Sequence, residues 1–226
     1  VIAESAELAD WGVGFAKPRI DLDAMRARKE KVIRTLSEGL NQIAGRRKVQ
    51  VIRARGVFEN SQSLRLVPLG DAKLDDDRIE FDHCIVATGS EPARIPALDL
   101  PTHRVMDSTT ALQLPDVPGR LLVVGGGYIG LEMADALAHK GMAVTLMEFA
   151  PEVLTTLDPD LGTLIRTELQ SKGVRVITGQ AVLRIARDKN TLSVQTASGD
   201  TEAADMVLVA AGARPSTELA QTAGIS

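Results

Sequence analysis

The spacing of apolar residues changes twice along the chain, and each change predicts different elements. Early on the period is helical. Met25, Val32, Leu36, Leu40 and Ile43 fall on one stripe, which predicts a helix from an N-cap at Asp21 to about Ala44, closed by Gly45. Residues 1–11 read as the tail of a preceding helix, ended by Gly12-Val13-Gly14. The pattern then shortens. Residues 49–53 predict a strand followed by Gly56, and residues 64–67 and 79–81 predict short antiparallel strands around the polar loop 70–77. Residues 83–87 predict a buried strand ending in Thr88-Gly89-Ser90. Proline recurs at 92, 96, 101, 115 and 118, which is connector chemistry and puts a domain boundary near residues 113–119.

Beyond that boundary short apolar runs and helical stripes alternate. Residues 121–124 are apolar and lead into Gly125-Gly126-Gly127-Tyr128-Ile129-Gly130, a helical stretch closed by Gly141, a second apolar run at 144–147, and then Glu148. Asp158, with Pro159 at the first helical position, predicts a second helix whose stripe is Leu161, Ile165 and Leu169, stopped by Gly173. Residues 174–178 predict a third strand. Residues 182–185 and 192–196, separated by Asp188-Lys189-Asn190, predict a hairpin, and residues 206–210 a last buried strand entering Ala211-Gly212-Ala213-Arg214-Pro215. The order is βαβαβ, a small β-meander and a return strand. This predicts an α/β, Rossmann-like domain, with no internal repeat of about 20–50 residues.

The stretch from Leu121 to Glu148 carries the chemistry. Gly125 lets the chain turn sharply out of the strand, Gly127 leaves room for a pyrophosphate to approach the backbone, and Gly130 lets helix and strand pack closely. The phosphates then face a helix N-terminus with free N–H groups and a partial positive charge. Glu148 lies 18 residues beyond Gly130. A carboxylate there accepts hydrogen bonds from a ribose 2′-OH and repels a 2′-phosphate, so NAD(H) is expected over NADP(H). The segment that follows, Phe149-Ala150-Pro151-Glu152, has none of the basic residues a 2′-phosphate needs. A lone GxGxxG is a weak signal; strand, helix, second strand and acid in their places make it a specific one. A kinase-type glycine loop would need a lysine-bearing strand next, where residues 131–140 read as helix.

Composition narrows the remaining classes. The six aromatics (Trp11, Phe15, Phe58, Phe81, Tyr128 and Phe149) leave the core to aliphatics. No run approaches the roughly 18 apolar residues of a membrane helix, and no signal peptide is visible, so a cytoplasmic setting is expected. Net charge is −4, yet residues 1–55 hold 12 Lys and Arg against 7 Asp and Glu. That excess lies along a helix face without interleaved aromatics, which reads as a solvated face and not a nucleic-acid site. Cys84 is the single cysteine, so no intramolecular disulfide, dithiol pair or cysteine zinc site can form within these residues; on an apolar strand it reads as a small core hydrophobe. His83, His103 and His139 have no metal spacing, and Asp75-Asp76-Asp77 lacks the spacing of a calcium loop. No catalytic or metal-binding residue is predicted.

Taken together, IVATGSEPARIP, LLVVGGGYIGLEMADAL, VTLMEFAPEVLTTLDPD and ADMVLVAAGARP resemble the FAD- and NAD-dependent pyridine nucleotide–disulfide oxidoreductases, most closely the dihydrolipoamide dehydrogenase branch. VIAESAELADWGVGF, DLDAMRARKEKVIRTLSEGL and VIRARGVFEN resemble the FAD-domain segment of that branch, so the likeness spans essentially the whole chain. The resemblance implies a partial FAD-binding domain over 1–115, an NAD-binding domain over 116–213 and a return segment over 214–226. It implies NAD contacts from Gly125, Gly126, Gly127, Tyr128, Ile129, Gly130 and Glu148. Glu132 would face the nicotinamide side, though a first-turn acid favoured by the helix dipole explains it equally well. Val182 would meet the adenine and Gly212 lie near the nicotinamide, with plain strand residues as the equal alternative. Gly56, Thr88, Gly89 and Ser90 would contact FAD, although a strand-end turn is their simpler reading in this chain alone.

The family's first GxGxxG, its redox CxxxxC and its C-terminal interface domain with a His–Glu pair have no counterpart in these residues, so the chain is expected to be the middle of a longer oxidoreductase. The tail ARPSTEL also departs from the usual GRxPN, towards the NADH oxidase and coenzyme A–disulfide reductase relatives. The full-length protein would then be a homodimer acting on a lipoyl-bearing acyltransferase or a small disulfide. The alternatives are an NADH oxidase, a coenzyme A–disulfide reductase, a mercuric reductase relative, or, for these residues alone, a non-catalytic NAD(H)-binding module.

Overall fold

The computed structural model describes residues 8–14, 16, 19–71, 73–113 and 116–224. The chain divides into two compact units, Val1–Val51 and Ile52–Ser226. Residues 1–7 of the predicted first helix lie outside the described residues, and Leu8–Trp11 forms a 3-10 turn.

The first unit is built on one long helix, α1 (Leu22–Arg46). Asp21 caps it: its Oδ1 accepts the Ala24 N–H at 3.0 Å, satisfying one of the free donors of the first turn. The helix continues through Gly45. Lys48 takes the left-handed turn at φ 56°, and the N–H groups of Lys48 and Val49 bond back to Gly45 O and Ala44 O. This is a Schellman closure with lysine where glycine was expected. The predicted stripe is helical in spacing, but Met25, Val32, Leu36, Leu40 and Ile43 are all exposed. Residues 49–53 are not a strand, because no strand among the described residues completes a ladder with them.

The second unit opens with an antiparallel sheet of β1 (Ala54–Asn60), β2 (Ser63–Pro68) and β3 (Arg78–Glu80). The rings of Phe58 and Phe81 meet edge to face across it, with centroids 6.1 Å apart. Residues 83–87, expected as a buried strand, are irregular; Ile85 is 93% exposed and Cys84 is exposed, not in a core. An apolar run becomes a strand only where a neighbour supplies hydrogen-bond partners, and among the described residues none does. The connector carries β4 (Ser90–Pro92), a 3-10 turn at Pro96–Leu98 and β5 (Val105–Met106).

The Rossmann-like body follows: β6 (Arg120–Val124), α2 (Tyr128–Ala138), β7 (Ala143–Met147), α3 (Pro159–Ser171) and β8 (Arg175–Ile177). The meander is β9 (Val182–Asp188), β10 (Thr191–Thr196) and β11 (Thr201–Ala204), and the chain returns as β12 (Met206–Val209), β13 (Ala213–Pro215) and the short α4 (Glu218–Thr222). The central sheet is parallel throughout, in the order β5-β12-β6-β7-β8.

Alternation along β6 explains why that strand reads as one apolar run. Leu121 and Val123 join the core shared with Leu131 and Ala134 of α2 and Leu169 of α3. Leu122 points the other way, into the core with Ile185, Leu192 and Val194 of the meander and Leu98 of the connector. Both faces of the sheet are covered, so every β6 position after Arg120 must be apolar. Each fully buried Leu or Val contributes about 1.5–3 kcal/mol.

Asp158 stands at the N-cap of α3 with Pro159 inside, but its side chain makes no capping bond. The buried positions of α3 are Gly162 and Leu169, with Ile165 packed against the core, while Leu161 is exposed. Gly162 displaces Leu161 from the predicted stripe because the helix presses onto the loop before it there: a Cβ on Gly162 would come within 2.6 Å of Glu152 Cγ and Val153 O.

Glu152 ties that loop to α3. Its carboxylate accepts from Val153 N (2.9 Å), Thr163 Oγ1 (2.9 Å) and Arg166 Nε (3.0 Å). Burial pushes its pKa up, but these donors and the Arg166 charge outweigh burial and hold it below the ordinary 4.5. A folded-state pKa below the unfolded one gives stabilisation that is complete above 4.5 and lost as pH falls through the folded value. Thermal melts from about pH 6 to about pH 3 are therefore expected to fall less steeply for Glu152→Gln than for wild type. Parallel acid limbs would rule out this contribution.

Candidate dinucleotide groove

The β6–α2 turn is shaped by contacts that exclude side chains. Gly125 has φ 110°, and a Cβ there would overlap Ala210 O and lie 2.9 Å from Ala210 C. The chain leaving β12 thus passes directly against the turn. A Cβ on Gly130 would overlap Gly125 O, so α2 crosses the end of β6 at backbone contact. Gly127, the N-cap of α2, has nothing within 4 Å of its Cβ position; it faces open space. Gly126 is enclosed: its Cβ would meet Val153 Cγ1 at 3.0 Å and Glu148 Cβ at 3.2 Å.

A groove of about 690 Å³ runs over this turn. It is lined by Val124 and Gly125 at the end of β6, Met147, Glu148 and Phe149 at the end of β7, and Ala210, Ala211 and Gly212 after β12. These are the carboxyl ends of adjacent parallel strands. β7 follows β6 on one side and β12 flanks it on the other, so the groove sits where the strand order reverses, the place where open α/β sheets bind ligands.

Of the residues predicted for NAD, Gly125, Gly127, Tyr128, Ile129, Glu148, Val182 and Gly212 line this groove together. Gly126 and Gly130 lie behind it, where they shape the turn. Glu132 is exposed on α2 and is not part of the lining.

Glu148 is held in place by backbone donors. Its Oε2 accepts the Gly126 N–H at 2.5 Å and its Oε1 the Ala150 N–H at 2.7 Å. Two such bonds leave acceptor sites on the carboxylate for hydroxyl donors. Among the described residues lining the groove, Glu148 is the single charged side chain; the others are apolar, glycine, threonine, tyrosine or glutamine.

The sequence reading missed Ile95, Leu98, Phe149, the segment 154–156, Gln180, Ala181 and several small residues of the lining. Leu154 carries the one available signal, and only in the structure: it is a non-glycine residue at φ 53°, with its N–H bonded to Gly126 O at 2.8 Å. That bond ties Leu154 to the glycine turn, and Thr155 and Thr156 line the groove after it.

The four flavin candidates lie elsewhere. Gly56 and Thr88 line a second cavity of about 640 Å³ with Arg94, Arg214 and Thr217 among its walls. Gly89 and Ser90 border it without lining it. Gly89 O accepts from Ser216 N at 2.9 Å, Ser90 pairs with Pro215 in the β4–β13 ladder, and Thr88 Oγ1 donates to Ser216 O at 2.6 Å. A Cβ on Gly56 would make ordinary contact with Leu64, so packing within the chain does not require glycine there.

No helix among the described residues is long and apolar enough to cross a membrane, and no group of three or more His, Cys, Asp and Glu residues among them is placed to hold a metal ion.

The chain is similar to known proteins over nearly its full length. It is 34% identical over 223 residues to the dihydrolipoyl dehydrogenase of Buchnera aphidicola, covering 96% of this chain and 46% of the relative. It is 34% identical over 230 residues to the dihydrolipoyl dehydrogenase of Vibrio cholerae, covering 100% of this chain and 48% of the relative. Among solved structures, the Cu(II) complex of the HOCl-induced flavoprotein disulfide reductase RclA from Escherichia coli superposes with a TM-score of 0.78 at 31% identity, over 92% of this chain and 46% of that one. The chain spans about half the length of the curated relatives it matches. The model of the pyridine nucleotide-disulphide oxidoreductases matches residues 3–226, and the chain belongs to that family.

Proposed function

We infer that the groove over the β6–α2 turn binds NAD(H), and that the protein works as part of an FAD-dependent oxidoreductase exchanging electrons between NAD(H) and a disulfide or dithiol. The observation that carries the first part is the convergence of Gly125, Gly127, Glu148 and Gly212 on one groove whose single charged side chain among the described residues is a carboxylate. The open face of Gly127 at the α2 N-terminus suits a pyrophosphate, and Glu148 suits a ribose diol. The redox chemistry is supplied by the cofactors; these residues bind and orient.

The wider reading rests on the family and on relatives named dihydrolipoyl dehydrogenase. By it, residues 1–115 belong to an FAD-binding domain, 116–213 to the NAD-binding domain and 214–226 return towards the flavin. The cavity at Gly56 and Thr88 is then the part of the flavin site this chain supplies. The substrate is a dihydrolipoyl group on an acyltransferase or a small disulfide, and the whole protein is a cytoplasmic homodimer. Opening a disulfide needs an attacking thiolate and a partner to resolve the mixed disulfide. Cys84 is one thiol, so the dithiol is supplied by other residues of the whole protein.

Titration of the purified protein with NADH, followed by the fluorescence of the reduced nicotinamide, is expected to saturate at one site per chain. NADPH is expected to bind at least about tenfold more weakly, a difference of ~1.4 kcal/mol. Equal binding of the two would reject the role given to Glu148. A folded protein that binds neither would reject the groove.

A further inference from the structure

We propose that Phe149 is the adenine platform of the groove: its ring stacks on the purine of the dinucleotide and sets which end of the groove takes the adenosine. The proposal rests on the NAD(H) reading above and adds a contact that the glycine fingerprint does not contain.

The first observation is exposure. Phe149 is 76% exposed although it lies in the wall of the groove. It is one of six aromatics in the chain. An apolar ring held in water at a concave site offers a flat face to a flat ligand.

The second observation is rigidity. Phe149 sits between two backbone latches. Glu148 O accepts the Gln180 N–H at 3.0 Å, and Ala150 O accepts the Gly179 N–H at 2.8 Å. The Glu148 carboxylate adds a bond to the Ala150 N–H on the other side of the same residue. The backbone of Phe149 is thus pinned on both flanks while its side chain stands free. The backbone there has little freedom left to lose when a ligand covers the ring, so the ordering cost falls on the two torsions of the side chain.

The third observation is position. Phe149 directly follows the one charged side chain among the described lining residues. If Glu148 takes the adenosine ribose, the base bonded to that ribose lies beside it, next to Phe149. Gln180, Ala181 and Val182 line the same groove and belong to the segment latched to residues 148 and 150, so the wall beside Phe149 is small and apolar apart from one neutral amide. Purine stacking needs no charge and no specific donor, which fits this wall. Tyr128, the other aromatic among the described lining residues, stands at the start of α2, whereas Phe149 is bonded in sequence to Glu148 itself.

The test uses three variants and three probes. Wild type, Phe149→Ala, Phe149→Leu and Phe149→Trp are titrated calorimetrically with NADH, ADP-ribose and reduced nicotinamide mononucleotide. Phe149→Ala is expected to weaken NADH and ADP-ribose about tenfold, within the range for loss of one stacked base, and to leave the mononucleotide unchanged. Phe149→Leu is expected to fall close to alanine, because it restores bulk without a π face. Phe149→Trp is expected to retain ADP-ribose binding and to show quenching of the new indole when ADP-ribose is added, with Trp11 as the only other tryptophan. ADP-ribose binding that is equal in wild type and Phe149→Ala, or equal in the leucine and wild-type proteins, overturns the platform while leaving the NAD(H) reading intact. Loss of mononucleotide binding alongside ADP-ribose overturns it too, since the ring would then support the whole groove. If wild type binds neither NADH nor ADP-ribose, the NAD(H) reading itself fails, and the platform with it.

Discussion

Alanine at position 130 is expected to cost at least about 3 kcal/mol of stability, the upper end of what overpacking usually costs. The added methyl would overlap Gly125 O and lie 3.0 Å from Gly125 C. Both are backbone atoms, so no side chain can rotate away. Gly125 cannot retreat either, because its own Cβ position is against Ala210, the residue after β12. The remaining relief is for α2 to lift off the sheet, which would open the contact of Leu131 and Ala134 with Val123 and Leu121. For a unit of this size the loss corresponds to a Tm lower by roughly 6–12 °C. Gly127→Ala is the control. Nothing lies within 4 Å of that methyl position and φ is −80°, so stability is expected to change by less than about 1 kcal/mol while NADH binding weakens, because the methyl enters the open face of the turn. Urea or thermal denaturation followed by circular dichroism separates the two. Equal melting of Gly130→Ala and wild type would mean that the helix–strand contact is looser than the structure has it.

The contrast between these glycines marks what the sequence could and could not say. The motif placed Gly125, Gly127 and Gly130 on a strand-to-helix turn, and the apolar runs of β6, β7 and β12 were legible because a sheet covered on both faces leaves no polar positions. The same logic misled at residues 83–87 and 49–53. Their composition is that of a strand, but pairing is a property of the neighbour, and no local pattern records whether a neighbour is there. Cys84 followed that error into an imagined core. In α3 the period was right and the phase slightly wrong, because Gly162 and not Leu161 meets the loop. The groove was legible where it is made of motif and illegible where it is made of position. Phe149, Leu154 and Gln180 line it because of backbone bonds to residues far away in sequence, and their residue types announce nothing.

Removing the Glu148 carboxylate is expected to have the largest effect on the ligand side: Glu148→Ala should weaken NADH about a hundredfold and NADPH far less, so that selectivity falls towards unity. A hydrogen bond to a charged group contributes about 1.5–3 kcal/mol, and a ribose diol offers two donors, so ~3 kcal/mol is a conservative loss for NADH. NADPH loses one of those bonds by chemistry, since its 2′-oxygen carries phosphate, and gains relief from repulsion by the only charged side chain among the described groove residues. The substitution also orphans the Gly126 and Ala150 N–H groups, which loosens the turn. Glu148→Gln separates the two effects. It keeps one acceptor for the backbone but no charge, so it is expected to hold more of the stability than alanine while still losing discrimination against NADPH. A cation returned to the same groove by Thr155→Arg in the Glu148→Ala background is expected to carry preference past unity, towards NADPH. Dissociation constants for both nucleotides across the four proteins, read with a thermal melt of each, decide the matter. If selectivity is unchanged in Glu148→Gln while NADH still binds, discrimination comes from shape and not from charge, and the carboxylate serves the turn alone.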